Sequence, residues 1–98
     1  MIERYTKPTS PGEILQEEFL KPMKVTQKML ANHLGCDIKV INRIVNGKTS
    51  VTAEMALKLA SALKTSARFW LNAQEAVDLY RAQAKIKKLP TPLKIAFA

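Results

Sequence analysis

The sequence predicts a single all-α domain of five helices with a helix-turn-helix at its centre. Residues that can cap helices occur at five points, apolar residues recur at helical spacing between them, and two short helical segments are joined through Gly35. A chain of 98 residues is long enough for one domain with its own core but leaves no room for a second. We expect the domain to span residues 1–90 and residues 91–98 to form an extended tail.

Capping residues and helix breakers predict where each helix begins and ends. Ser10 and Glu13 have the spacing of a capping box, and Pro22 is expected to stop the first helix, which gives it the range 11–20. Gly35 and Gly47 stand where left-handed residues end helices. Four further residues are predicted to cap the N-termini of the later helices: Thr26, Asp37, Thr52 and Ser66. The helices that they cap are expected, in the same order, at 27–34, at 38–46, from 53 onward and from 67 to about 88.

The charge balance favours a polyanionic partner. The 16 Lys and Arg exceed the 8 Asp and Glu, which gives a net charge of +8, and residues 21–48 hold six of these bases and only one acid. The sequence has no apolar run that resembles a signal peptide or a membrane span, and its single cysteine, Cys36, forms no internal disulfide. These features predict a cytoplasmic protein.

The sequence does not predict an enzyme. His33 and Cys36 are three residues apart, but together they supply only two of the four ligands of a zinc site and lack a third partner for nucleophilic catalysis. Glu17 and Glu18 point in different directions on a helix and form no acid–base pair. We therefore expect no catalytic residue, no metal and no cofactor.

The helix expected at 38–46 has two opposite faces. At 100° per residue, one arc of the helix carries two cations and two amides, namely Lys39, Arg43, Asn42 and Asn46. The opposite arc carries four β-branched residues, namely Val40, Ile41, Ile44 and Val45. The apolar arc is expected to pack against the preceding helix and the core. Any surface helix has a polar face, but Arg and Lys match guanine edges and Asn matches adenine, so this arc predicts base contacts in the major groove of DNA.

Four segments resemble the HigA-like (VapI-like) antitoxins of the XRE / Cro-C1 helix-turn-helix family. They are SPGEIL at 10–15, INRIVNGK at 41–48, TAEMALKLA at 52–60 and FWLNAQ at 69–74, of which the last is the most specific. The resemblance covers about residues 10–88. It implies a phage-repressor-like fold with a long C-terminal dimerisation helix and a homodimer on an inverted-repeat operator. It also implies repression of the protein's own operon and neutralisation of a HigB-like ribosome-dependent mRNA endonuclease.

The same resemblance implies roles for residues of the helix pair. Ile38 departs from the polar residue frequent at its position, so it either meets a thymine methyl group or packs. Lys28 is either a phosphate contact or a solvated lysine. Three positions are implied to face the bases: Lys39, Asn42 and Arg43. Four are implied to contact phosphates: Gln27, Asn46, Lys48 and Thr49. In relatives the residue at the position of Gln27 also supports the helix that contacts the bases.

The fifth helix carries an apolar stripe that is longer than the core requires. Phe69 and Trp70 are expected to pack against the first and fourth helices. Val77, Tyr80 and Ala84 follow at helical spacing, beyond the point where the core is complete. We expect these three residues to contact a second copy of the chain, in agreement with the dimerisation of relatives through this end.

The first helix has an acidic side formed by Glu13, Glu17 and Glu18. Because carboxylates repel DNA phosphates, this side is expected to face away from the duplex, where it is either a toxin-binding surface or a solvated face. Two other functions stay open: a stand-alone transcriptional repressor, and a protein-interaction module that binds only the toxin. A basic membrane-binding helix is disfavoured, because amides opposite an apolar arc suit base edges better than lipid head groups.

The periodicity changes in the C-terminal tail. Pro90 and Pro92 exclude a continuing helix, and Leu93, Ile95 and Phe97 then alternate on one side of an extended chain. The tail either frays, lies in a groove between helices, pairs with residues 2–6, or adds to the edge of the toxin's sheet.

Overall fold

A computed structural model describes residues 6–94, which form five helices and no strand. The first helix, α1, is a continuous run that begins as an α-helix at Pro11–Ile14, widens to a π-helix at Leu15–Leu20 and ends as an α-helix at Lys21–Met23. The others are α2 at Gln27–Leu34, α3 at Ile38–Val45, α4 at Ala53–Leu63 and α5 at Ala67–Lys85. The prediction of an all-α, five-helix fold is confirmed.

All five predicted N-caps are present. Each cap oxygen accepts a hydrogen bond of 2.8–3.2 Å from a backbone N–H in the first turn of its helix. Ser10 and Glu13 form the complete capping box, because the Glu13 carboxylate also accepts from the backbone N–H of Ser10 at 3.3 Å. Each such cap stabilises a helix by about 1 kcal/mol, so local sequence determines where these helices begin.

The end of α1 differs from the prediction. Pro22 was expected to stop the helix at residue 20, but the helix continues to Met23. Just before Pro22 the backbone N–H of Lys21 donates to Gln16, five residues back instead of four. After Met23 the left-handed Lys24 closes the helix, with the backbone N–H of Val25 donating to Leu20. A proline ring presses on the carbonyl four residues earlier in a regular α-helix, and the wider π-helical turn gives it room.

Two other helix ends are slightly earlier than expected. Helix α3 ends at Val45, because Asn46 has φ −88° and ψ 6° and Gly47 follows with φ 69°. Helix α5 ends at Lys85 instead of about Lys88, because Ile86 is extended with φ −84° and ψ 112°. The residues after Lys85 are exposed, so no tertiary packing supports a further helical turn there.

The core is formed by side chains of all five helices around Trp70. The indole N–H of Trp70 donates to the hydroxyl of Thr65 at 2.7 Å, so burial leaves no polar group of this side chain unpaired. Phe19 and Phe69 pack against the ring with centroid distances of 5.4 and 5.1 Å. The predicted core role is confirmed for Trp70, whereas Phe69 lies at the edge with 41% exposure. The buried members are Leu15, Leu20, Leu30, Ala31, Ile41, Ile44, Val51, Met55, Ala56, Leu59 and Trp70.

Helix α5 extends beyond this core. Val77 is its last buried residue, and the described chain measures 57 × 28 × 22 Å. The residues from Ile86 to Lys94 are exposed and carry no secondary structure, and Leu93 is 82% exposed. The predicted partners of Leu93 in an extended tail, Ile95 and Phe97, lie outside the described residues, as do residues 2–5.

Candidate nucleic-acid interface

A tight turn at Gly35 fixes α3 across α2. Gly35 has φ 73°, and its backbone N–H donates to the carbonyls of Ala31 and Asn32 at the end of α2. The backbone N–H of Cys36 also donates to Ala31, at 3.0 Å, and Asp37 then caps α3. Ala31 is buried where the helices meet, and its small side chain lets their backbones approach. The predicted helix-turn-helix is present.

Helix α3 buries one side and leaves the other in solvent. Ile41 and Ile44 are buried in the core, and Val45 is half-buried. Val40 was expected on the buried side, but it is exposed, because it lies at the margin of the apolar arc beyond the reach of α2. The opposite side chains are all exposed, namely those of Ile38, Lys39, Asn42, Arg43 and Asn46, and the 44% exposure of Ile38 excludes its packing as a core residue.

A chain of side-chain amides runs from α2 along the exposed side of α3. The Nδ2 of Asn42 donates to the Oε1 of Gln27, and the Nδ2 of Asn46 donates to the Oδ1 of Asn42, both at 3.2 Å. These bonds orient the Asn42 amide while leaving it one N–H and one lone pair, which are the two groups needed for a bidentate contact with adenine. Gln27 therefore supports α3 from α2.

Gly12 determines how closely α1 approaches the end of α3. A Cβ atom on Gly12 would lie 2.0 Å from the carbonyl oxygen of Ile44 and 2.7 Å from that of Val45. Only glycine permits this backbone contact. We did not predict this role from the sequence; the available signal was a glycine in the first turn of a helix, where it adds no stability of its own.

Gln74 connects α5 to the loop that follows α3. Its Oε1 accepts from the backbone N–H of Val51 at 2.9 Å, and its Nε2 donates to Asp78 at 3.0 Å. Because Gln74 is only 8% exposed, its buried hydrogen bond with Val51 holds the end of the 46–51 loop in place. Sequence analysis placed Gln74 only within the FWLNAQ segment and gave it no role.

The residues predicted to contact phosphates surround α3. Lys28 lies in the first turn of α2, and Asn46, Lys48 and Thr49 lie at or just after the end of α3; all four are exposed. Gln27 is half-buried by its contact with Asn42. The structure thus brings candidate phosphate contacts to both ends of the exposed arc of α3.

Comparison with known proteins identifies the family of this arrangement. A helix-turn-helix family model matches residues 17–70. Antitoxin HigA-1 of Vibrio cholerae is 43% identical to the chain over an alignment of 88 residues, and the match covers 84% of this chain and 83% of that protein. The chain belongs to the HigA-like helix-turn-helix family. This is a family of DNA-binding proteins.

Two further proteins show the range of HigA-like relatives. An uncharacterised HTH-type transcriptional regulator of Haemophilus influenzae is 47% identical over 74 residues, covering 76% of this chain and 69% of that protein. The solved structure of the Pseudomonas aeruginosa antitoxin HigA with the higBA promoter has a TM-score of 0.77 and 37% identity, and the match covers 80% of this chain and 85% of that one.

The predicted dimer residues of this HigA-like chain differ in their exposure. Val77 is only 6% exposed within the single chain, so little of its side chain is left for the predicted contact with a second copy. It packs where α5 crosses the start of α1, close to Gly12 and Ile44. Tyr80 is half-buried and Ala84 is exposed, and both stay available to a partner.

The acidic side of α1 lies in solvent. Glu13, Glu17 and Glu18 are exposed, and Glu17 pairs with Lys21 at 2.7 Å. Glu13 is engaged in the capping box, which leaves Glu18 as the carboxylate of this side with its full charge toward solvent. Within residues 6–94, no helix combines the length and the apolar character that a bilayer crossing requires.

Proposed function

We propose that this chain binds an inverted-repeat operator as a homodimer, represses its own operon, and neutralises a HigB-like mRNA endonuclease. The observation that carries the DNA part is the exposed arc of α3, where Lys39, Asn42 and Arg43 lie together and Gln27 orients Asn42. Because an operator and an mRNA endonuclease are both cytoplasmic, we place the protein in the cytoplasm.

Two kinds of contact are proposed at the DNA interface. Lys39 and Arg43 donate to guanine, Asn42 pairs with adenine, and the exposed Ile38 contacts a thymine methyl group. The residues at the two ends of the arc contact the phosphate backbone and set the register of the helix on the duplex, namely Gln27, Lys28, Asn46, Lys48 and Thr49. The promoter complex of the similar P. aeruginosa HigA supports this assignment.

The decisive experiment measures binding to the DNA upstream of the protein's own gene and to a scrambled duplex of equal length. Arg43→Ala is expected to weaken binding to the upstream DNA by about 1–3 kcal/mol and to relax preference at one base position. Lys48→Ala is expected to weaken binding to both duplexes equally and to lower the salt slope by about one unit for each subunit bound. Arg68→Ala, which removes an exposed arginine at the start of α5, is the matched control and should leave both constants unchanged. Equal losses on both duplexes for Arg43→Ala would contradict its role as a base contact.

The dimer is proposed to form through the exposed end of α5. A two-fold axis there would place the two α3 helices about 34 Å apart, facing successive major grooves. Tyr80→Glu combined with Ala84→Glu should produce monomers in sedimentation velocity that bind the operator weakly. A variant that stays dimeric would place the interface on another surface.

Toxin neutralisation is proposed to use the acidic side of α1. A nuclease that approaches RNA must itself be basic, which complements Glu17 and Glu18. The charge-reversal pair Glu17→Lys and Glu18→Lys should weaken binding to the small basic protein encoded beside this gene, and Glu54→Lys with Glu75→Lys on α4 and α5 is the control. At position 13 the substitution tested is Glu13→Gln, because the glutamine side chain still accepts the capping-box hydrogen bond from Ser10.

The alternative function is a stand-alone repressor, which the H. influenzae regulator favours. In that case the wild-type protein binds its upstream DNA, but neither captures the neighbouring gene product nor protects cells from it.

A further inference from the structure

A groove with cationic residues on its border lies beside the end of α3, between the segment before α1 and the middle of α5. It has a volume of about 360 Å³ and is bordered by Asn46 and Gly47 on one side and by Lys7, Tyr80 and Arg81 on the other. None of these residues except Asn46 belongs to the predicted DNA contacts. The groove is continuous with the loop in which Lys48 and Thr49 lie.

Arg81 brings a cation from α5 to this loop. Its Nη2 lies 3.5 Å from the carbonyl oxygen of Gly47, and a Cβ built on Gly47 would lie 3.8 Å from the same nitrogen. The guanidinium therefore lies beside Gly47, the residue between Asn46 and Lys48 in the sequence. At 3.5 Å the bond to Gly47 is long, and a guanidinium carries four further N–H donors for another acceptor.

Within residues 6–94, the positive charge of the groove is only partly balanced by carboxylates. Neither ion pair within residues 6–94 includes Lys7 or Arg81. Glu13 is the single carboxylate on the groove wall, and one of its oxygens is occupied by the backbone N–H of Ser10. Asp78, one turn before Arg81 on α5, accepts from Gln74 instead. Two cations against one carboxylate leave the groove with a net positive charge.

We infer that Lys7 and Arg81 bind a DNA backbone phosphate, next to the phosphate contacts of the loop after α3. This inference rests on the proposed operator binding and extends it to α5 and to the segment before α1. Arginine suits this role because its planar fork donates two parallel hydrogen bonds to a phosphate. Arg81 contacts Gly47, which immediately precedes Lys48, so its charge lies next to the proposed phosphate contacts of this loop.

The test is the salt dependence of operator binding by Arg81→Gln and Lys7→Gln. Each phosphate contact contributes about 0.9 to the slope of log K against log salt. Because the proposed dimer carries Arg81 twice, Arg81→Gln should lower the slope by about 1.8, so between 50 and 200 mM salt its loss of affinity should be about 12-fold smaller than that of the wild type. The same reduction is expected on operator and on random DNA, because phosphates carry no sequence information. Arg68→Gln on the same helix, about 20 Å away at 1.5 Å per residue, should leave the slope unchanged.

A positioning role for Arg81 gives a different result. If Arg81 only holds Gly47, Arg81→Gln weakens the operator complex without changing the salt slope, and that outcome overturns the inference. Arg81→Lys keeps the charge and should retain most of the slope while losing the bidentate geometry. A change of dimer constant in sedimentation, with an unaltered slope, would assign Arg81 to the subunit interface instead. Failure of the wild-type protein to bind its upstream DNA would refute the proposed function itself, which separates the two conclusions.

Discussion

Replacing Gly12 by alanine is expected to destabilise the protein more than any other single methyl group added to a glycine in this chain. The added Cβ would lie 2.0 Å from one backbone oxygen of α3 and 2.7 Å from the next. An ordinary carbon–oxygen contact is roughly 3.3 Å or longer, so α1 and α3 would have to separate by about 1 Å. The atoms in contact belong to backbone on both sides, so no side-chain rotation relieves the overlap.

The magnitude follows from the cost of overpacking a rigid interior, typically about 1–3 kcal/mol and occasionally more. Alanine is favoured over glycine in helices by up to about 1 kcal/mol, which offsets part of that cost. We expect a net loss of roughly 2 kcal/mol, which for a domain of this size lowers Tm by about 8–16 °C. The shift also displaces Ile44 and Val45, so operator affinity should fall at temperatures where the variant is still folded.

Thermal and urea unfolding monitored by circular dichroism measure the effect, and Gly35→Ala is the comparison. A Cβ on Gly35 meets nothing within 4 Å, so that variant bears only the strain of its φ of 73°. This strain is about 1 kcal/mol. A Tm for Gly12→Ala equal to or above that of Gly35→Ala would show that the α1–α3 contact is not close in solution and would refute the reasoning.

Two further predictions concern side chains that hold the interface. Gln74→Leu should lower stability by about 1–3 kcal/mol in urea unfolding, because it leaves the buried N–H of Val51 without an acceptor. Asp78→Ala, which removes only the bond donated by Gln74, should cost less than half as much. Gln27→Ala should leave Tm within a few degrees of the wild type, since its contact is exposed, but should broaden or shift the Asn42 side-chain amide resonance in NMR. An unchanged resonance would mean that Gln27 does not orient Asn42.

The beginnings of the helices were predictable because they depend on neighbours in sequence. A cap bonds to an N–H two or three residues later, so Ser10, Thr26 and Asp37 act with little help from the rest of the fold. The end of α1 was not predictable in this way. Pro22 stops a regular α-helix, and only the π-helical turn before it, which Leu15 and Leu20 support from the core, allows the helix to continue.

The candidate DNA-facing arc was predictable from helical periodicity, since the alternation of Lys39, Asn42 and Arg43 with Ile41 and Ile44 divides α3 into two faces. Residues that act across the fold were not. The closeness of Gly12 to α3 and the bond from Val51 to Gln74 join segments more than twenty residues apart, and no local pattern reports such contacts. The same holds for Val77. The apolar stripe on α5 predicted that this residue contacts a second copy, whereas packing within the chain buries its side chain.

Two long-range contacts join α5 to the loop after α3, although α5 lies far from α3 in the sequence. Gln74 binds Val51 at the end of the loop after α3, and Arg81 contacts Gly47 at the start of the same loop. Tyr80 lies between them and has its proposed partner on a second copy of the chain. If the subunits associate through α5 as proposed, a dimer contact that tilts this helix also moves the loop that carries Lys48, and we expect subunit association and operator affinity to be coupled. Monomers should then bind the operator more weakly than expected from the loss of one of the two DNA-binding subunits alone. A covalently linked dimer, joined by a disulfide or by fusion, should still bind more weakly than the wild type when it carries Gln74→Leu.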